Sequence, residues 1–131
     1  MARIGAARRF VRGERGAMAA EFALILPVLI FMSVGSIGFM MMMSSVSALH
    51  FAVEDAARCA AVNKTLCTGA ASTQTYAASR YKGPAITGLT FTSTNVACGQ
   101  KLVGSGTMVF STGLGSVSTA ISATACYPNQ S

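Results

Sequence analysis

The chain predicts an α+β fold: a long N-terminal helix that spans a membrane over its first half, then a small domain of one short helix and a three-stranded antiparallel sheet. Three observations carry this. Phe22 to Met43 is 22 residues without a charged side chain; as a helix it covers about 33 Å, against ~30 Å for the hydrocarbon core of a bilayer. Past that run the apolar residues keep a helical period and then, after Pro84, alternate. Four cysteines, Cys59, Cys67, Cys98 and Cys126, all follow the apolar run.

Residues 1 to 16 are polar, rich in Arg and Gly, and without apolar periodicity, so they read as a leader. They hold five of the ten basic residues and one of the four acids. A basic flank stays on the cytoplasmic side, which places the remainder outside: N-in, C-out. An overall charge of +6 would suit a nucleic-acid binder. Half the basic groups sit in the leader and no basic face interleaved with aromatics follows, so nucleic acid is not an expected partner. The apolar run is too long for an ordinary secretory signal, whose core is roughly 7 to 15 residues.

Pro27 removes one hydrogen bond from the helical ladder and predicts a kink near Leu24 to Pro27. Gly35, Gly38, Ser33 and Ser36 form a narrow small-residue patch that admits a second helix, without the GxxxG spacing. Met40 to Met43 are flexible side chains suited either to irregular partner surfaces or to lipid. Leu49, Val53, Ala56 and Ala60 then recur at helical spacing, which extends one helix over about residues 17 to 62. Glu54 precedes Arg58 by one turn, the favourable order for an ion pair of ~0.3 to 0.5 kcal/mol.

Asn63 to Gly69 is a loop bounded by cysteines. Ala70 to Tyr81 predicts a short helix with Tyr76, Ala77 and Tyr81 on one face, stopped by Lys82, Gly83 and Pro84. Leu89 and Phe91 alternate with threonines, Met108 and Phe110 with Thr107, Val109 and Ser111, and Val117, Ile121, Ala123, Ala125 and Tyr127 occupy odd positions. These are three strands, separated by glycine-rich turns at Cys98 to Gly106 and Gly113 to Ser116. Residues 63 to 131 thus form a domain facing the periplasm or the exterior, its sheet buried against the emerging half of the long helix.

On that oxidising side, cysteines in a small domain serve as staples. Four cysteines allow three pairings. Cys59 with Cys67 closes a short loop after a helix, and Cys98 with Cys126 ties the ends of a sheet; this pairing is favoured. A zinc site of four thiolates is the rival, without a CxxC spacing to support it.

Catalytic groups are sparse. His50, the only histidine, lies between Leu49 and Phe51 near the membrane end of a helix. Glu54 and Asp55 are neighbours, about 100° apart on a helix, and do not converge as an acid and base pair. Gly104 to Gly106 and Gly113 to Gly115 match neither a dinucleotide fingerprint nor a phosphate loop. No enzymatic activity, cofactor or metal is expected. The acid that needs explanation is Glu21, at the mouth of the apolar run. The helix macrodipole favours it there, but an acid next to hydrocarbon is costly without a cation. A cut after Gly16 would make Ala17 the N-terminus and Glu21 the fifth residue, and the new amino group, in the same chain or a neighbour, would supply that cation.

Gly16-Ala17-Met18-Ala19-Ala20-Glu21-Phe22 resembles the processing site of class III, type IV-like prepilins: a basic leader ending in glycine, a glutamate fifth and an aromatic sixth in the mature chain, then an apolar helix. ERGAMAAEFALILPVL at residues 14 to 29 and HFAVEDAARCAA at residues 50 to 61 are similar to the TadE-like pseudopilins of tight-adherence (Tad/Flp) pilus systems. The resemblance covers roughly the first 62 residues, and the terminal strand ending Ala125, Cys126, Tyr127, Pro128 agrees with it in style; Asn63 to Gly106 is variable terrain that draws no support from it. Phe22 stands where major Flp pilins often carry tyrosine, and those pilins are far shorter past the helix, so a minor subunit is implied. The resemblance implies a type IV pilin-like fold, cleavage between Gly16 and Ala17 by a prepilin peptidase, Glu21 and Phe22 acting in assembly, and other pilins, pseudopilins and the Tad assembly machinery as partners in pilus assembly and adhesion. The alternative is an uncleaved, single-pass anchored periplasmic binding module.

Overall fold

The computed structural model describes residues 14–111 and 115–129. Five elements follow in order: α1 (Glu14–Val62), α2 (Ala70–Arg80), β1 (Thr87–Val96), β2 (Gly99–Ser111) and β3 (Ser116–Tyr127). The chain divides into two units, one ending at Gly38 and one beginning at Phe39. Most of the expected leader, residues 1 to 13, lies outside the described residues, and Glu14 to Gly16 belong to α1.

In the first unit α1 continues through Pro27. Its large apolar side chains, among them Phe22, Leu24, Phe31 and Met32, are exposed. The two hydroxyls of this stretch are satisfied within the helix: Ser33 Oγ donates to the Leu29 carbonyl at 2.7 Å and Ser36 Oγ to that of Ser33 at 2.9 Å. Such back-bonding is what a polar group needs where water is absent.

In the second unit the remainder of α1 buries one stripe. Leu49, Ala52, Val53, Ala56 and Ala57 form a core with Ala77 of α2 and with Phe91, Leu102, Ile121 and Ala123 of the sheet. Three of these five α1 positions are alanine, so the helix contributes little side-chain bulk to the core. The helix ends where Asn63 folds its side chain back, its Oδ1 accepting from the backbone N–H of Thr65 at 3.2 Å and of Leu66 at 3.1 Å. Lys64 Nζ donates to the Ala60 carbonyl at 2.8 Å, which satisfies one of the orphan carbonyls of the last turn. At the start of α2, Ser72 Oγ accepts from Gly69 N–H at 3.0 Å, and Thr73, buried, donates its hydroxyl to the Gly69 carbonyl at 2.8 Å.

The sheet is an antiparallel meander in the order β1-β2-β3. Between β2 and β3 the register is unbroken from Gln100↔Tyr127 to Ser111↔Ser116. Between β1 and β2 it runs from Val96↔Gly99 to Thr90↔Ser105 and shifts before Thr87↔Thr107. One row faces α1: Phe91, Leu102, Gly104, Met108, Ile121 and Ala123 are buried along it. The opposite row, including Thr90, Thr92, Ser105, Ser122 and Thr124, is exposed, the alternation expected of a half-buried sheet.

The turn expected at Cys98 to Gly106 is not one. Ala97 and Cys98 alone make the reversal, and the glycines beyond belong to β2. Gly99 takes φ +116°, and a Cβ there would meet the Tyr127 carbonyl. Gly104 lies directly under the helix: a Cβ would sit 2.8 Å from Val53 Cγ2 and 2.9 Å from Leu49 Cδ1. It serves for close approach and not for turning. Of the second expected turn, residues 113 and 114 lie outside the described residues, and β3 begins at Ser116.

Both disulfides join the pairs favoured from the sequence, Cys59–Cys67 with Cα atoms 5.9 Å apart and Cys98–Cys126 with Cα atoms 6.3 Å apart. No cysteine is left free, so no thiolate set remains for zinc. The first bridge is buried; the second lies exposed and ties the β1–β2 turn to the end of β3.

Candidate functional site

The residues assigned to processing and assembly lie in the first turns of α1. Gly16 is helical and exposed, and a Cβ there would meet nothing within 4 Å. Ala17 follows it in the helix. Glu21 is exposed and has neither a hydrogen bond nor an ion pair among the described residues, and Phe22 beside it is exposed as well. The segment therefore offers an unpartnered carboxylate and an aromatic ring at the entrance to an apolar helix. Over Met18–Val62, α1 is long and apolar enough to cross a membrane, a candidate anchor near the N-terminus.

The second unit holds a polar cluster that sequence spacing alone does not find. Arg80 Nε lies 2.7 Å from Asp55 Oδ2. The Tyr76 hydroxyl donates to the same oxygen at 3.2 Å and accepts from Arg80 Nε at 3.1 Å. The Arg80 guanidinium also stands 5.1 Å from the centre of the Tyr76 ring. The bond to Tyr76 and the charge of Asp55 hold the Arg80 guanidinium above its ordinary pKa. The cluster ties α2 to α1 across the edge of the core. Its only sequence signal is that Tyr76 and Arg80 are one helical turn apart; their acid comes from an element 21 residues upstream.

The ion pair expected between Glu54 and Arg58 does not form: among the described residues the one ion pair is Asp55–Arg80. Glu54 and Arg58 are both exposed and, with Asp55, line a groove of about 530 Å³ between α1 and the end of β3, together with Phe51, Thr124 and Tyr127. His50 is exposed on α1 and is not among the groove's lining residues.

Comparison with curated proteins and with solved structures returns no match. Among protein families, the model of the TadE-like protein family matches residues 16–58. That stretch opens on Gly16, contains Glu21, Phe22 and the whole apolar run, and closes at Arg58, one residue before the first disulfide cysteine. Over residues 16–58, about a third of its length, the chain is similar to the TadE-like protein family.

Proposed function

We propose that the protein is a minor pseudopilin of a Tad/Flp pilus. A prepilin peptidase cuts between Gly16 and Ala17, α1 holds the subunit in the inner membrane with residues 63 to 131 in the periplasm, and the mature chain joins other pilins and pseudopilins in a pilus that serves adhesion. Its role is assembly and it performs no reaction of its own. The observation that carries this is the family match over residues 16–58, which begins at the glycine before the proposed cut and leaves out most of the basic leader.

Physical considerations agree with it. Removing the leader strips the arginines that hold the N-terminus in the cytoplasm, and the new α-amino group gives the exposed Glu21 carboxylate a cation at low dielectric, where such a pair counts for most. An apolar helical surface that contacts lipid before assembly can contact other helices after it.

Intact mass and N-terminal sequencing of the protein from membranes of its native host, without reduction, test the proposal. A chain beginning AMAAEF is expected. A chain that keeps its arginine-rich leader in cells with an active prepilin peptidase would overturn it and favour the anchored binding module.

A further inference from the structure

The second unit keeps its charge at one end. Besides His50, residues 39–131 hold two acids and five bases. Glu54, Asp55 and Arg58 lie near the end of α1, and Lys64 shares a cleft with Ala60 and Gln100. Arg80 is bound to Asp55, and Lys101 pairs across the sheet with Cys126, which lines the groove of Glu54 and Arg58. Only Lys82 stands apart from this end.

β2 leads away from it. Gln100 lies by Ala60, whereas a Cβ at Gly104 would meet Leu49 and Val53. The strand from Gln100 to Gly104 covers about 14 Å, and so does the helix from Ala60 to the level midway between Val53 and Leu49, so β2 runs antiparallel to α1 and nearly along it. From Gly104 to Phe110 the strand advances a further ~20 Å, while Met43, where the uncharged run of α1 ends, is only ~12 Å away along the helix. The end of the β2–β3 hairpin therefore lies several ångströms past Met43. From Leu102 to Tyr127 no side chain is charged. Near that end Val109 is 52% exposed and Val117 56%, and Phe110, paired with Val117, is half-buried. Val117 belongs to the row that is buried at Ile121 and Ala123, so here the apolar row outruns the core.

We propose that the end of this hairpin, Val109 to Ser111 with Ser116 and Val117, is a second membrane contact, resting in the leaflet from which α1 emerges. The proposal rests on the reading that α1 crosses a membrane. Exposed valines and the absence of charge favour entry. Depth is limited by the backbone: β3 is an edge strand whose outer N–H and C=O groups face no further strand, which hydrocarbon does not tolerate. The hairpin accordingly stops at the boundary of headgroups and acyl chains, ~5 to 10 Å deep. Lys82 agrees with that depth. It is exposed next to Gly83, where a Cβ would lie 2.9 Å from Ala48. Ala48 is about 7 Å above Met43 along the helix, at headgroup height, where an ammonium meets lipid phosphate. Helix and hairpin together fix the rotation of the second unit about α1, so every membrane-held subunit presents the same face.

The protein has no tryptophan, so an introduced one reports alone. Full-length Val117→Trp, Phe31→Trp and Val96→Trp are placed singly in vesicles of phosphatidylcholine brominated either high on the acyl chain or near its methyl end. Val117→Trp is expected to lose emission to the shallow bromines more than to the deep ones, Phe31→Trp to the deep ones, and Val96→Trp, at the charged end of the sheet, to neither. Val109→Trp, on the opposite row of β2, repeats the measurement at a second exposed site, and urea unfolding checks that each variant folds. Quenching at residue 31 with none at 117 or 109 overturns the hairpin contact and leaves the span standing. No quenching at residue 31 removes the span and the hairpin contact with it. Equal quenching at 96 and 117, or a blue-shifted but unquenched emission at 117, which would mean that protein covers the hairpin, overturns the proposal as well.

Discussion

The two halves of α1 are both apolar, yet they are built from different residues for different surroundings. Up to Gly38 the helix carries Phe, Leu, Ile and Met, large side chains that stand exposed on every face. From Leu49 to Ala61 its inward stripe is mostly alanine with one leucine, one valine and one cysteine, all buried against protein. Hydrophobicity alone says that both halves leave water. Side-chain volume separates them: bulk on every face is compatible with lipid, which conforms to any shape, whereas small residues suit a fixed protein partner.

Identical substitutions placed in each half sharpen this contrast. The largest difference is expected for leucine. Leu49→Ala removes a side chain that is 1% exposed and should lower the stability of residues 39–131 by about 2 to 5 kcal/mol, read by urea unfolding in detergent. Leu29→Ala, at 53% exposure, should leave that transition unchanged. Equal losses at both sites would mean that the upstream half also packs on protein.

Glycine gives the next effect, with opposite signs. Gly104→Ala forces a methyl against Val53 and Leu49 and should cost about 1 to 3 kcal/mol in the same unfolding measurement. At Gly35 a Cβ meets nothing within 4 Å, so Gly35→Ala should raise helicity by circular dichroism and stabilise that part of α1 by up to about 1 kcal/mol. A modest effect, comparable to that at Gly35, lies at the border of the buried half: Tyr76→Phe removes the hydroxyl shared by Asp55 and Arg80 and should cost about 0.5 to 1.5 kcal/mol.

The same contrast explains what could be read from the chain before its fold was known. The long N-terminal helix, its buried stripe, α2 and the alternating strands were legible because each repeats a local period over many residues. Gly104 and Gly106 were misleading: glycine signals a turn and also a strand position under crowding neighbours, and only Leu49 and Val53 of α1 above Gly104, and Ile86 above Gly106, decide which. The Glu54–Arg58 pair failed for a related reason. Spacing makes two residues neighbours on a helix, but whether they pair depends on competing contacts, and here the acid that finds a cation is Asp55, through α2. Thr73 was overlooked as a core residue because its hydroxyl is hidden by its own helix, in a bond to Gly69 that makes its burial inexpensive.

The connectivity of the two bridges also bears on how the chain matures. Cys59 joins Cys67 after 8 residues, Cys98 joins Cys126 after 28, and each cysteine's partner is simply the next one in the chain. If the chain is threaded outward behind its N-terminal helix, as proposed above, its thiols emerge in that order. An oxidase that joins each emerging thiol to the last one still free would therefore reach the native set directly, leaving no misplaced bond for an isomerase to reshuffle.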